Sequence, residues 1–122
     1  MKITPEFARR FAAQWIAAWN AHNLDGILAH YSDDFEMSSP FIERIMDEPA
    51  GTLRGREAVG SYWKRALERM PELHFELIDA LAGVESVCLY YKSVGGLRAV
   101  EWLWFDERGK VCRAMAHYHE FP

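Results

Sequence analysis

The feature of this sequence that most narrows its fold is a change of period part-way along the chain. Over roughly the first 70 residues apolar side chains recur at helical spacing, and over roughly the last 50 they alternate as in strands. Phe7, Phe11, Trp15 and Trp19 stand four apart, with Ala8, Ala12 and Ile16 alongside and Arg9, Arg10 and Gln14 on the other side. That one-sided stripe predicts an amphipathic helix. Thr4 is its expected N-cap, and Pro5 suits the first helical position, where a missing N–H costs nothing. Asn23 should cap a shorter helix that carries Leu24, Ile27, Leu28 and Tyr31. A third helix is expected from Arg56 to about Met70, with Val59, Tyr62, Trp63, Ala66 and Leu67 on one face and Pro71 closing it. Between the second and third helices, residues 35–39 alternate and stop at Pro40, which predicts a short strand. Residues 41–55 read as irregular, broken by Pro49, Gly51 and Gly55, with room for one helical turn around Ile42 to Met46.

The second part predicts four strands, roughly 73–82, 85–94, 97–106 and 109–120. Gly95-Gly96 reads as a two-residue hairpin turn, because both central positions of such turns favour positive φ. Asp106 to Gly109 reads as a four-residue turn. Pairing Val94 with Leu97 across the first turn sets Tyr90 opposite Glu101 and Cys88 opposite Leu103. Pairing Phe105 with Lys110 across the second sets Leu103 opposite Cys112 and Glu101 opposite Ala114. This register sorts the sheet into two faces. The inner one carries Cys88, Tyr90, Lys92, Ala99, Glu101, Leu103, Cys112, Ala114, Ala116 and Tyr118. The outer one carries Val87, Leu89, Tyr91, Val100, Trp102, Trp104, Met115, His117 and His119. Cys88 and Cys112 then lie ~9–10 Å apart across an intervening strand, beyond the ~7 Å reach of a disulfide.

With 122 residues, one domain spanning 1–122 is expected, since two cores would leave about 60 residues each. The net charge of −4 and the absence of any basic run longer than a pair such as Arg9-Arg10 argue against a nucleic-acid or anionic-membrane partner. No apolar stretch approaches the ~18 residues of a transmembrane helix, and the first residues lack the pattern of a secretory signal. A cytoplasmic protein with free thiols is expected. Gly51 to Gly55 does not follow a strand in the manner of a phosphate loop, so no nucleotide cofactor is implied. His117 and His119 face the same way, but the register supplies no third ligand, so no metal is expected.

The order of elements, with Trp15-Ile16, residues 23–28, Tyr31 to Phe35, Leu53 to Val59 with Tyr62-Trp63, and Phe105 to Val111, resembles the SnoaL-like group of the nuclear transport factor 2-like superfamily. That group is a sibling of ketosteroid isomerase. The resemblance covers essentially the whole chain. It implies an α+β, cone-shaped (cystatin-like) fold with three N-terminal helices packed on a curved, mainly antiparallel sheet, whose concave face encloses an apolar cavity. Ketosteroid isomerase works in that cavity with an Asp base and an oxyanion hole made of a Tyr and a protonated Asp. The base falls at Ser39 here, the oxyanion Tyr at Trp15 and the second Asp at Glu101, so only Glu101 keeps a carboxyl.

Glu101 is therefore the first candidate for acid or base chemistry, with Ser39 beside it. Burial should raise its pKa above the ordinary ~4.3. A structural Glu bonded to Tyr90 or Tyr118, or lowered by Lys92, is the alternative. Trp15, Trp19, Trp63, Tyr31, Tyr90, Leu103, Ala114 and Tyr118 are the expected cavity wall, with His22 near the mouth. The expected ligand is a small apolar, carbonyl-containing molecule, either turned over by a cofactor-independent isomerase, cyclase or lyase (dehydratase) or held by a non-catalytic binder; a purely structural dimer is the third alternative. Leu89, Tyr91, Val100, Trp102, Trp104 and Met115 form an outer apolar patch with no chain left to cover it, which predicts a homodimer.

Overall fold

The computed structural model describes residues 1–121. Helix α1 (Pro5–Asn20) starts as the sequence dictates: Thr4 Oγ1 accepts the Phe7 backbone N–H at 3.1 Å. Its stripe buries Ala8, Phe11, Ala12, Trp15 and Trp19. Asn23 caps α2 (Leu24–Leu28) through the Gly26 N–H at 3.0 Å. Tyr31 does not continue that helix. It opens strand β1 (Tyr31–Ser38), longer than the expected 35–39.

The segment expected to be irregular holds two elements. Ser39 caps α3 (Pro40–Met46), its Oγ accepting the Phe41 N–H at 3.2 Å. Pro40 therefore starts a helix as well as stopping a strand, the two roles being compatible because its own N–H is not needed at either. A three-residue strand, β2 (Thr52–Arg54), pairs antiparallel with β1. Helix α4 (Arg56–Arg69) occupies the predicted span, and Arg56 Nη1 ties its start to the carbonyls of Leu28 and Tyr31, both at 2.9 Å. Four α-helices thus precede the last four strands, one more than expected.

Those strands are β3 (Glu76–Gly83), β4 (Ser86–Lys92), β5 (Arg98–Phe105) and β6 (Val111–Tyr118). Six strands lie in the order β2-β1-β6-β5-β4-β3, antiparallel except for the parallel β1–β6 pair. Helix α1 packs on the sheet through rings: Phe7 and Phe11 meet Phe105 of β5 edge-on, and Trp15 meets Tyr91 of β4 at 5.3 Å.

The register differs from expectation at both hairpins. Ser93 and Leu97, not Val94 and Leu97, close the β4–β5 loop, through the Ser93 N–H to the Leu97 carbonyl. The loop is three residues, Val94-Gly95-Gly96, with Gly95 and Gly96 at φ 62° and 76°, the left-handed region glycine tolerates. The extra loop residue shifts β4 by one and turns it over. Leu89, not Tyr90, faces Glu101, and Val87, not Cys88, faces Leu103. Leu89 and Tyr91, placed on the outer patch by the expected register, are buried in the core at 0% and 1% exposure. Tyr90 and Cys88 take the outer side.

At the β5–β6 hairpin two departures cancel. Asp106 pairs with Lys110 around a three-residue loop that ends on Gly109 at φ 78°, one residue shorter than expected. A bulge between Trp104 and Phe105 then leaves Cys112 unopposed. Glu101 faces Ala116 and Leu103 faces Ala114, a shift of two that keeps Ala114, Ala116 and Tyr118 on the expected face. Only Cys112 is moved off it; its Sγ contacts the Trp104 carbonyl, and both cysteines are free thiols.

Candidate functional site

Between α1, α4, the 70–75 segment and the inner face of β4–β6 lies a cavity. It is lined by Trp15, Trp19, Met37, Phe41, Tyr62, Trp63, Ala66, Met70, Leu73, Phe75, Tyr91, Ser93, Val94, Glu101 and Tyr118. Its volume, taken as the space open to the centre of a water-sized sphere, is about 50 Å³. One water needs about 10–15 Å³ in that measure, so the space is that of a few waters.

Glu101 is the single carboxyl among the lining residues and is 3% exposed. Strand alternation puts it inward between Ala99 and Leu103, both buried. The Tyr91 hydroxyl donates to its Oε1 at 3.1 Å. Burial pushes its pKa up to about 8, and the Tyr91 hydrogen bond only partly offsets this. Neither alternative partner applies: Lys92 is exposed, and the phenol bonded to Glu101 is Tyr91, not Tyr90 or Tyr118. At neutral pH the carboxyl is therefore mainly a neutral acid, one oxygen of which accepts from Tyr91.

The phenols around it are stabler still as neutral groups. Burial raises Tyr62, Tyr91 and Tyr118 well above the ordinary phenol value, and a charge on Glu101 would raise them further. Ser39 is buried at the end of β1, and its side chain interacts with the Tyr62 and Tyr118 phenols, opposing their upward shift. Its hydroxyl is already the cap of α3, and it does not line the cavity. Ser39 thus has a structural reason to be where it is, and no histidine lines the cavity to activate it.

Of the remaining expected wall, Trp15, Trp19, Trp63 and Tyr118 do line the cavity. Trp15 does so with its polar atom already committed: Nε1 donates to Tyr31 Oη at 2.9 Å, inside the core. Tyr31, Leu103 and Ala114 are buried but do not reach the cavity. Tyr90 is on the outer side of the sheet, where it borders a shallow groove with Arg98 and His117. His22 stands just past α1 at φ 53°, its Nε2 2.9 Å from the Leu73 carbonyl, and touches the cavity only through Leu73. His119 Nδ1 accepts the Arg98 backbone N–H at 2.9 Å.

Tyr91, Tyr62 and Phe75 were not foreseen as wall residues. Tyr62 was visible on the apolar face of α4; Tyr91 was hidden by the hairpin register; Phe75 was expected inside the strand 73–82, but β3 begins only at Glu76 and leaves Phe75 in the segment before it. Asn20 holds that segment in place, its Nδ2 donating to the Phe75 carbonyl at 2.9 Å and its Oδ1 accepting the Phe75 N–H at 2.6 Å. One polar atom of the wall is left over. The Trp19 indole N–H is buried without a partner, on a side chain 6% exposed that lines the cavity.

The SnoaL-like domain family model matches residues 12–119. A SnoaL-like protein of unknown function from Burkholderia thailandensis is 52% identical, covers 98% of this chain and 100% of its own, and superposes with a TM-score of 0.94. A candidate ketosteroid isomerase from Kribbella flavida is 18% identical over 95% of this chain and 80% of its own, with a TM-score of 0.72. AclR, a candidate hydroxylase from Streptomyces galilaeus, is 20% identical over 95% of this chain and 91% of its own, also at 0.72. The last two share the fold at an identity too low to carry an activity. No curated protein matches the sequence. The family model, which spans most of the chain, and the relative at 52% identity together establish that the chain belongs to the SnoaL-like domain family.

Proposed function

We propose that this chain binds a small, largely apolar carbonyl compound, with the neutral Glu101 carboxyl donating a hydrogen bond to the carbonyl oxygen. The observation that carries this is Glu101 itself: an acid 3% exposed in an aromatic cavity, raised to about 8, with one oxygen held by Tyr91. A donor O–H in an apolar wall is costly to leave unpaired and favours an acceptor ligand. The enclosed space is that of a few waters, so a ligand of one ring with a short substituent enters only as the ring-lined wall opens around it. The same donor would stabilise an enol or enolate. The lining residues offer no separate base, because Glu101 is the single carboxyl and no histidine lines the cavity. Binding and polarisation are thus better supported than proton transfer from carbon.

The test uses para-ethylacetophenone as probe, titrated by nuclear magnetic resonance at about pH 6 and about pH 9, on either side of the Glu101 midpoint. Wild type should bind at the lower pH and lose affinity at the higher. Glu101→Gln, whose amide donates at every pH, should bind equally at both. Wild-type binding that does not change with pH would overturn the assignment of Glu101 as donor.

We further propose that a second copy of the chain covers the outer sheet face. Trp102, 41% exposed, stacks on Trp104 at 5.2 Å and 7°, with Val100 and Met115 alongside, while Arg113 lies over Trp104 at 5.0 Å. A stacked indole pair with one ring exposed and the other half-buried is costly to hydrate and suits a two-fold interface.

A further inference from the structure

The cavity wall contains a second donor that nothing among the described residues satisfies. Trp19 Nε1 is buried without a hydrogen-bond partner, although Trp15, one helical turn earlier, has its indole N–H paired with Tyr31. A buried donor left unpaired costs about 1–3 kcal/mol, a penalty that a ligand acceptor would remove. Geometry limits where that acceptor sits relative to Glu101. Phe75 touches Trp19 at 5.4 Å and Tyr91 at 4.9 Å between ring centres, and Trp15 touches the same two rings at 6.0 and 5.3 Å. Trp19 and the Tyr91–Glu101 pair therefore lie on a common wall with one ring, Phe75 or Trp15, between them, and Trp19 and Glu101 are both among the residues that line the cavity.

Building on the proposed role of Glu101, we infer that the ligand carries two acceptor oxygens at opposite ends of a single ring, one taken by Glu101 and the other by the Trp19 indole N–H. Trp19 is then a specificity-determining residue: it distinguishes a para-substituted ketone with a distal oxygen from its hydrocarbon counterpart. A carboxylate at that end is disfavoured, because no lysine, arginine or histidine lines the cavity to offset its desolvation.

A matched pair of probes tests this. In para-methoxyacetophenone an ether oxygen stands where para-ethylacetophenone has a methylene, at nearly equal size. Wild type should bind the methoxy compound about fivefold more tightly, the gain of one hydrogen bond to a donor otherwise unpaired. Of the five tryptophan indole signals, the one lost in Trp19→Phe should shift with the methoxy compound and not with the ethyl compound. Trp19→Phe should bind the two compounds alike. Equal affinities in wild type, an unmoved Trp19 signal, or a preference that survives in Trp19→Phe each overturn the inference. Should the variant fail to fold, the wild-type affinities for the two compounds still decide. If both probes bind alike and with the expected dependence on pH, the role of Glu101 stands and that of Trp19 falls; if neither binds, both fall.

Discussion

A carboxyl that is 3% exposed and has a phenol as its one hydrogen-bonded partner holds its proton well past the pH at which a solvated glutamate would release it. Folding stability then depends on pH with a definite sign. The folded state keeps the Glu101 proton up to about 8, whereas the unfolded chain loses it near the ordinary value of 4.5. Between those two values the folded state binds more protons, so the stabilisation is fully present below 4.5 and is lost as pH rises toward 8. The slope from this group is on the order of 1 kcal/mol per pH unit. Denaturant melts across this window should show wild type weakening and Glu101→Gln holding level. An equal pH response in both would contradict the raised pKa. Ser39→Ala, by contrast, removes a helix cap and should cost about 1 kcal/mol. It should leave the pH slope unchanged, and a melt of the variant at two pH values checks both statements.

Among the elements, those with local signatures were legible. The four-residue stripe with Thr4 and Pro5 gave α1, and the Tyr62-Trp63 face with Pro71 beyond it gave α4. Seven residues are too few to display a full helical period, which is why α3 reads in the sequence only as one turn around Ile42 to Met46, and the three residues of β2 carry no alternation to detect. The face of β4 was misjudged for another reason: it depends on whether a Gly-Gly loop closes at Val94 or Ser93, which local composition leaves open. Glu101 was legible because β5 alternates cleanly; its partner Tyr91 was not, since only the β4–β5 register reveals it. The Asn20–Phe75 clasp, spanning 55 positions, had no local signal at all. It joins the end of α1 to the segment that closes the cavity. Asn20→Ala should lower stability by about 1–3 kcal/mol, because the Phe75 N–H and carbonyl lose their partners. Hydrogen exchange at the Phe75 amide should rise more than at the centre of α4, and equal protection at both would show that the clasp is dispensable.

For the molecule as a whole, the proposed second copy makes a direct prediction. Light scattering at roughly tens of micromolar should give twice the chain mass, as two-fold pairing is the commonest assembly. Replacing Trp102 and Trp104 together by Glu should give a monomer that keeps its fold, since both side chains point away from the helices. A wild-type monomer at that concentration would remove the interface. The three-residue loop of the β4–β5 hairpin has a further consequence, for how this chain can change length. Removing Gly96 would not merely shorten a turn: it would roll β4 over, sending Cys88 and Tyr90 inward and expelling Leu89 and Tyr91, so that Glu101 loses its phenol. The β5–β6 hairpin carries its own slack in the bulge at Cys112, which has already absorbed one odd residue. Insertions and deletions at the first hairpin should therefore survive only in even numbers, whereas the second can take up a single residue by losing its bulge.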